Sequence, residues 1–534
     1  MRKRTQLLRG GLIAALSGWI VVGAIGEVQD LGRISFPNSG ASEAQEAFVR
    51  GVLLLHSFEF EDAGEAFREA QEIDPDFALA YWGEAMSYNH PLWREQDREA
   101  ALAALDRLAP TWEERLAKAP TEREKGYLTA LAALYGEGGK VERDVAYEQA
   151  MGELSAAFPE DLEAKSFHAL SILGTTQGER DFATFMRAAA VAEEVFAANS
   201  RHPGAAHYLI HSYDDPVHAP LGLRAARVYA DIAPAAPHAQ HMISHIYVAL
   251  GQWADSIDAN VQSFAVSVER AERKGLGPDA RNYHALHWLQ YSRLQMGQLA
   301  AARELLGEMD GYAAQSGSDR ALWHQAAFRA AWAVETRARE LPPGPDPAEM
   351  PFQAAVLEHF ARGWAALGAG DLEAATAAAE GIRGRVDETT ATGKGEEPGA
   401  VFDTDLQAAR VMAMELEASI AFAGGAAAAA LEGLGEAAAI EAGLPLEYGP
   451  PSIAKPSHEL LGERLLELDR PGEARAAFEK ALSRAPRRRL ALEGLAAATA
   501  ALADTDATRL ACAELAAIYA HADEGLSRPA VCSG

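Results

Sequence analysis

The sequence predicts an all-α fold, an α-solenoid built from stacked antiparallel helix pairs. Apolar residues recur at the helical period through the chain, and no convincing run of strands stands out. Small residues return at fixed offsets within units of about 34 residues, as expected where two helices of a pair touch. A chain of 534 residues also exceeds what one compact core serves, which points to several domains or one elongated repeat array. Hydrophobic residues make up 49% and charged residues 23%, a balance that excludes wholesale disorder.

Residues 1–26 differ from the rest. Arg2, Lys3, Arg4 and Arg9 precede the apolar run GLIAALSGWIVVGAIG. Basic start, short apolar core and small residues at Val22-Gly23-Ala24 form the pattern of a secretory signal peptide. An uncleaved N-terminal membrane anchor is the alternative, since the run is only slightly shorter than the roughly 17 residues a span needs. Either reading puts the chain in the periplasm or outside the cell, possible anchoring included.

The array expected over residues 43–340 starts with AQEAFVRGVLLLHSFEFEDAGEAFREAQEIDP. Counting Ala44 as position 1, Gly51 falls at 8, Ala63 at 20, Phe67 at 24, Ala70 at 27 and Pro75 at 32. The same count from Lys455 places Gly462, Ala474, Phe478, Ala481 and Pro486 at the same five positions after a matching first helix. Both stretches resemble the tetratricopeptide repeat, which implies a right-handed superhelix of helix–turn–helix units. Weaker units register from Pro203, Pro237 and Tyr283, with others expected near residues 78, 120, 160 and 320. LPPGPDPAEMP (341–351) and RGRVDETTATGKGEEPGA (383–400) read as breaks or loops. They bracket a helix pair within 341–400 and precede a C-terminal helical region over 401–534. Cys512 and Cys532, both near the C-terminus, are placed to staple the tail to the last helix in an oxidising compartment.

The pieces HSFEFEDAGEAFREA, FALAYWGEAMSYNHPLW, HPGAAHYLIHSYDDPVHA and KPSHELLGERLLEL resemble a group of bacterial secreted or anchored tetratricopeptide proteins. That resemblance implies a histidine-rich groove and no particular reaction.

Seven of the sixteen histidines lie within residues 202–245. The family resemblance implies that positions 2, 5, 9, 12 and 13 of each first helix face the concave groove. His238, His241 and His245 then take positions 2, 5 and 9 of one unit, and His284 and His287 take 2 and 5 of the next. His207 and His211 take 5 and 9 of the preceding unit, with Asp214 and Asp215 at 12 and 13. The i,i+4 and i,i+3 spacings put each pair on one helix face. Neutral imidazoles with a carboxylate nearby suit a transition metal, copper or zinc or else iron. The expected ligands are His207, His211, His241, His245, His284, His287 and Asp214. His56, His90, His168, His238, His324, Trp82, Asp215 and Tyr291 are further groove candidates. His202 and His218 sit at helix starts beside prolines and read as caps.

The formal charge of −29 excludes a phosphate-binding surface. Arg487-Arg488-Arg489 is therefore read as the solvated start of a helix. His458-Glu459-Leu460 lacks the second histidine of HExxH, and no nucleophile elbow or phosphate loop occurs. Lys455, His458 and Glu459 either fold back on the groove or merely open a helix. The sequence thus predicts a metal carrier or metalloenzyme, with a scaffold binding an extended peptide or protein partner as the alternative. No nucleic-acid partner is expected.

Overall fold

A computed structural model describes residues 31–176, 180–392, 401–446 and 448–533. The expected signal peptide or anchor lies outside these. Among the described residues there are twenty-four α-helices, and no helix is long and apolar enough to cross a membrane. The first pairs are α1 (Gln45–His56) with α2 (Phe60–Ile73), and α3 (Ala78–Met86) with α4 (Arg98–Leu108). The short α5 (Trp112–Lys118) leads to α6 (Glu122–Leu134) with α7 (Lys140–Ala157), then α8 (Leu162–Gly174) with α9 (Phe182–Ala198). Three pairs carry the histidines: α10 (Pro203–Tyr213) with α11 (Ala219–Ile232), α12 (Pro237–Ala249) with α13 (Trp253–Lys274), and α14 (Tyr283–Gln295) with α15 (Leu299–Ser316). Helix α16 (Asp319–Glu335) packs on α17 (Phe352–Ala369), itself paired with α18 (Leu372–Thr392). Last come α19 (Asp403–Ala423) with α20 (Ala427–Gly443), α21 (Ser457–Glu467) with α22 (Pro471–Arg484), and α23 (Arg489–Ala501) with α24 (Thr505–Tyr519).

The small residues do what their spacing requires. A Cβ on Gly51 would lie 2.8 Å from the Phe67 ring, and one on Gly83 of the next unit 2.2 Å from the same ring. Gly462 and Gly494 stand in the same relation to Phe478, at 2.8 and 2.1 Å. In each of these two units one phenylalanine is therefore clamped between two successive first helices. Ala63, Ala70, Ala474 and Ala481 are buried beside them. The expected units near 78, 120, 160 and 320 start at Ala78, Glu122, Leu162 and Asp319.

The array folds back on itself. The start of α2 meets α12 and α13: Glu59 accepts a hydrogen bond from the His238 backbone N–H at 3.0 Å, and Asp62 pairs with Arg270 and Lys274. From the other end, Trp253 Nε1 donates to the Arg487 carbonyl (3.1 Å), and Asp523 N–H donates to the Gly297 carbonyl (3.1 Å). Cys512 and Cys532 form a disulfide that ties the tail to α24.

Arg488 and Arg489 are buried, which corrects the reading of the basic run as solvated. Arg488 donates to Glu459 at 2.7 Å and to the Tyr291 hydroxyl at 2.8 Å, and it pairs with Glu335 at 2.6 Å. Three partners compensate a charge that burial alone would make very costly. Lys455 and Glu459, 2.7 Å apart, join the same network, with Glu459 in the first turn of α21 after Pro456. Burial opposes ionisation of Glu459, yet Arg488 and Lys455 outweigh it and hold the carboxyl down to about 2.

Candidate metal centre

Helix α10 begins with Pro203 at its first turn, where a missing N–H costs nothing. The His202 ring accepts from the Ala205 N–H through Nδ1 (3.2 Å), as expected of a cap. From this start His207 and His211 project inward one turn apart. Pro237 opens α12 in the same way and sets His238, His241 and His245 on the neighbouring helix. His284 comes from the first turn of α14.

Six rings make two sets of three. In the first, His207 Nε2 lies 3.0 Å from His211 Nε2 and 3.2 Å from His238 Nε2. In the second, His245 Nε2 lies 3.0 Å from His241 Nε2, and the His284 ring centroid is 4.6 Å from that of His241. Within each set one ring nitrogen per histidine falls within 4.8 Å of the other two. His238 and His284 are the less buried members.

Partners on the far side of the rings fix three tautomers. His207 Nδ1–H donates to the His56 carbonyl at 2.7 Å. His241 Nδ1–H donates to Asn260 Oδ1 at 2.7 Å, and Asn260 is itself oriented because its amide donates to the Ser256 carbonyl. His245 Nδ1–H donates to Asp214 Oδ2 at 2.5 Å. With their protons on Nδ1, His241 and His245 turn bare Nε2 lone pairs toward each other across 3.0 Å. Two lone pairs at that distance repel unless a metal ion or a proton lies between them. Such backing by carbonyl, amide and carboxylate is how metal-ligating histidines are held.

Burial pushes His207, His211, His238, His241 and His284 well below the ordinary imidazole range, and neighbouring histidines add to the effect. All five are neutral at neutral pH, the state in which imidazole binds metal. Three nitrogens would leave a tetrahedral metal one open position, the arrangement of catalytic rather than closed structural sites.

Several expected residues fall elsewhere. His207 and His211 from α10 group with His238, and His241 and His245 from α12 group with His284 of α14, so His238, ranked lower from sequence, completes the first set. His287 is not in either set; it faces Trp323, His324 and Phe328 and is pushed down to about 4 by burial. Asp214 stands behind His245 rather than among the donors. Asp215 closes a turn by accepting from the Val217 and His218 N–H groups, and it pairs with Arg180 and the His218 ring. His218 is thus held by Asp215 instead of capping α11 through its ring.

His56 also serves another purpose. Its Nε2 donates to Glu163 at 2.7 Å, and its Nδ1 faces the Tyr208 hydroxyl at 2.9 Å. Glu163 also accepts from His202 Nε2 at 3.0 Å. Burial would raise Glu163, but His202 and His56 outweigh it and hold the carboxyl down to about 2. Both nitrogens of each ring are used, so this close set is a satisfied structural network. Trp82 is core, packed on Phe36, Tyr127 and Phe167, and not a groove residue. His90 stacks on Phe60, and His168 lies beside Glu148 on the α7 side. His324 is buried with Nδ1 lacking a hydrogen-bond partner, its ring 6.4 Å from His284.

Tyr291 and His287 line a cavity of about 270 Å³ with Trp323, Phe352, Met412 and Pro451. None of the six clustered histidines lines this cavity, although His287 and Tyr291 share α14 with His284. The Tyr448 ring lies 5.6 Å from His245, and Gly449 (φ +93°) presses on Trp288, where a Cβ would come within 2.3 Å. Sequence reasoning missed Asn260, Glu163 and Tyr448. Asn260 lies on a second helix, and no short motif connects it to His241.

No family model matches the chain, and no curated protein matches it. Among solved structures, the chain is similar to the APC/C hetero-tetramer Cut9-Hcn1, at 13% identity over 87% of this chain and 78% of that one, with a TM-score of 0.33. It is similar to yeast Tom70 at 12% identity over 87% and 96%, TM-score 0.32. A human IFIT1 dimer with m7Gppp-AAAA is similar at 12% identity over 91% and 90%, TM-score 0.35. The helix pairing and the glycine–phenylalanine clamps described above establish the architecture without these likenesses. The described residues form an all-α, tetratricopeptide-type solenoid.

Proposed function

We propose that this solenoid binds transition-metal ions, zinc or copper, through His207, His211 and His238 and through His241, His245 and His284, as a metal carrier or a metalloenzyme. The observation that supports it most is the pair of lone pairs on His241 and His245, locked face to face at 3.0 Å by Asn260 and Asp214. Two nitrogens so placed can share a metal ion, as they can share a proton, and the third nitrogen of His284 close by favours the metal. The open position on each ion would suit a small ligand or substrate. The disulfide supports an oxidising compartment, periplasmic or secreted, in keeping with the N-terminal pattern. Elemental analysis of the purified mature chain, followed by zinc titration of the chelator-stripped protein, tests the reading. Protein that comes metal-free and takes up no zinc or copper would overturn it.

The second reading is an interaction scaffold that takes a peptide or protein partner, a use to which helix-pair arrays lend themselves. Partner binding that survives chelation and the loss of His241 and His245 would mark it.

A further inference from the structure

The two three-histidine sets are not separate sites. Ring centroids within a set lie as far apart as 6.4 Å (His211 to His238) and 6.3 Å (His245 to His284). Between sets, His211 and His245 are 5.9 Å apart, and His238 and His241 are 6.4 Å apart. The gap between sets is therefore no wider than the gaps inside them. No backbone and no apolar side chain is needed to span it, because His238 and His241 are neighbours on one helix face.

Building on the metal-binding reading, we propose that the six histidines form one two-metal centre, with an ion on each set and a small exogenous anion bridging the pair. The bridge follows from charge. Six imidazoles bring no negative charge of their own to two cations, and no carboxylate is among the clustered donors. Asp214 is turned to the His245 Nδ1–H, and Asp215 is taken by Arg180 and His218. Two divalent ions sharing a buried site then require an anion from solvent, a hydroxide or a small oxyanion. It would occupy the positions the three nitrogens leave open. Two metals clamping one oxygen ligand is an arrangement that activates bound water or holds a transferring oxyanion.

Copper(II) is the probe. The full chain, stripped by chelator, is titrated with copper(II), and bound metal is counted beside the electron paramagnetic resonance intensity. The expected result is two ions per chain, with intensity well below two spins and a half-field signal from coupled ions. Added azide, a competing bridging anion, should shift that signal. Two ions giving two full, uncoupled signals would overturn the shared centre, as would one ion per chain; both leave metal binding intact. No bound ion would remove the underlying reading as well. In His284→Gln the count should fall to one ion with full spin intensity, and two coupled ions in that variant would also overturn the proposal. His284 is among the less buried of the six, so this variant keeps the fold.

Discussion

Asp214→Asn separates a histidine held for a metal from one that merely fills the groove. In the native chain the buried Asp214 carboxylate accepts the His245 Nδ1–H, while its other oxygen has no hydrogen-bond partner. The substitution keeps shape and volume but replaces a charge-assisted hydrogen bond by a neutral one. Hydrogen bonds to charged groups contribute about 1.5–3 kcal/mol and neutral ones about 0.5–1.5, so roughly 1–2 kcal/mol of orientation and ligand basicity is lost. Losing such a partner ordinarily weakens metal binding about 10- to 100-fold, or about 1.4–2.7 kcal/mol, which agrees with that range. The assay is competition for zinc against a chromophoric chelator near neutral pH, with thermal unfolding of the metal-free variant as a control. The neighbouring Asp215→Asn, whose carboxylate serves Arg180 and a turn, should leave zinc affinity within about twofold. Equal affinity in wild type and Asp214→Asn would refute the argument that His245 is poised as a ligand.

Three further outcomes follow from the fold. Gly494→Ala should lower thermal stability by about 1–3 kcal/mol, because its Cβ would meet the Phe478 ring at 2.1 Å; at an unconstrained helix position the same change would stabilise by about 1 kcal/mol, so the sign of a melting shift decides. Arg488→Met should cost about 3–5 kcal/mol in denaturant unfolding, since it strands the buried Glu459 and Glu335 carboxylates; a change near zero would mean the arginine is solvated after all. Burial, then Glu441, pushes the Glu415 carboxyl well above its usual range. The folded state therefore keeps a proton that the unfolded chain loses above about 4.5, and stability falls as pH rises from there, by about 1.4 kcal/mol per unit for this group. Glu415→Gln should match wild type near pH 4 and exceed it at neutral pH, which unfolding at the two pH values will measure.

The repeat registers were legible because they rest on sterics: only glycine fits where the first helices meet Phe67 and Phe478, so first helices fall within two or three residues of their expected starts. The inward face was legible too, and it carried His238, His241 and His245 correctly as neighbours. What the count could not supply is the rotation between successive first helices. That rotation joins His238 to α10 rather than to its own i+3 partner, and it turns His287 toward Trp323 while His284 meets His241. Charged residues misled for a related reason. Arg488 looks solvated in a run of three arginines, and while Glu459 opens its own unit, its partners Glu335 and Tyr291 come from distant repeats. Trp82 lies at a groove position by count, yet the N-terminal segment brings Phe36 against it and makes that face core.

An open solenoid folds as a row of units, each depending only on its neighbours, and can fray or refold from any point. This chain has given up that freedom. Glu59 and Asp62 from the first repeat bind α12 and α13, while Arg487, Arg488 and Asp523 from the last repeats bind the turns and groove of α12 to α15. The histidine helices are thus gripped from both termini at once. Their order depends on contacts closed over sequence separations of about two hundred residues, so the array behaves as one cooperative unit with slow, non-local assembly. A nick or truncation at either end would then be felt at the histidine helices as well as in the repeats next to the cut.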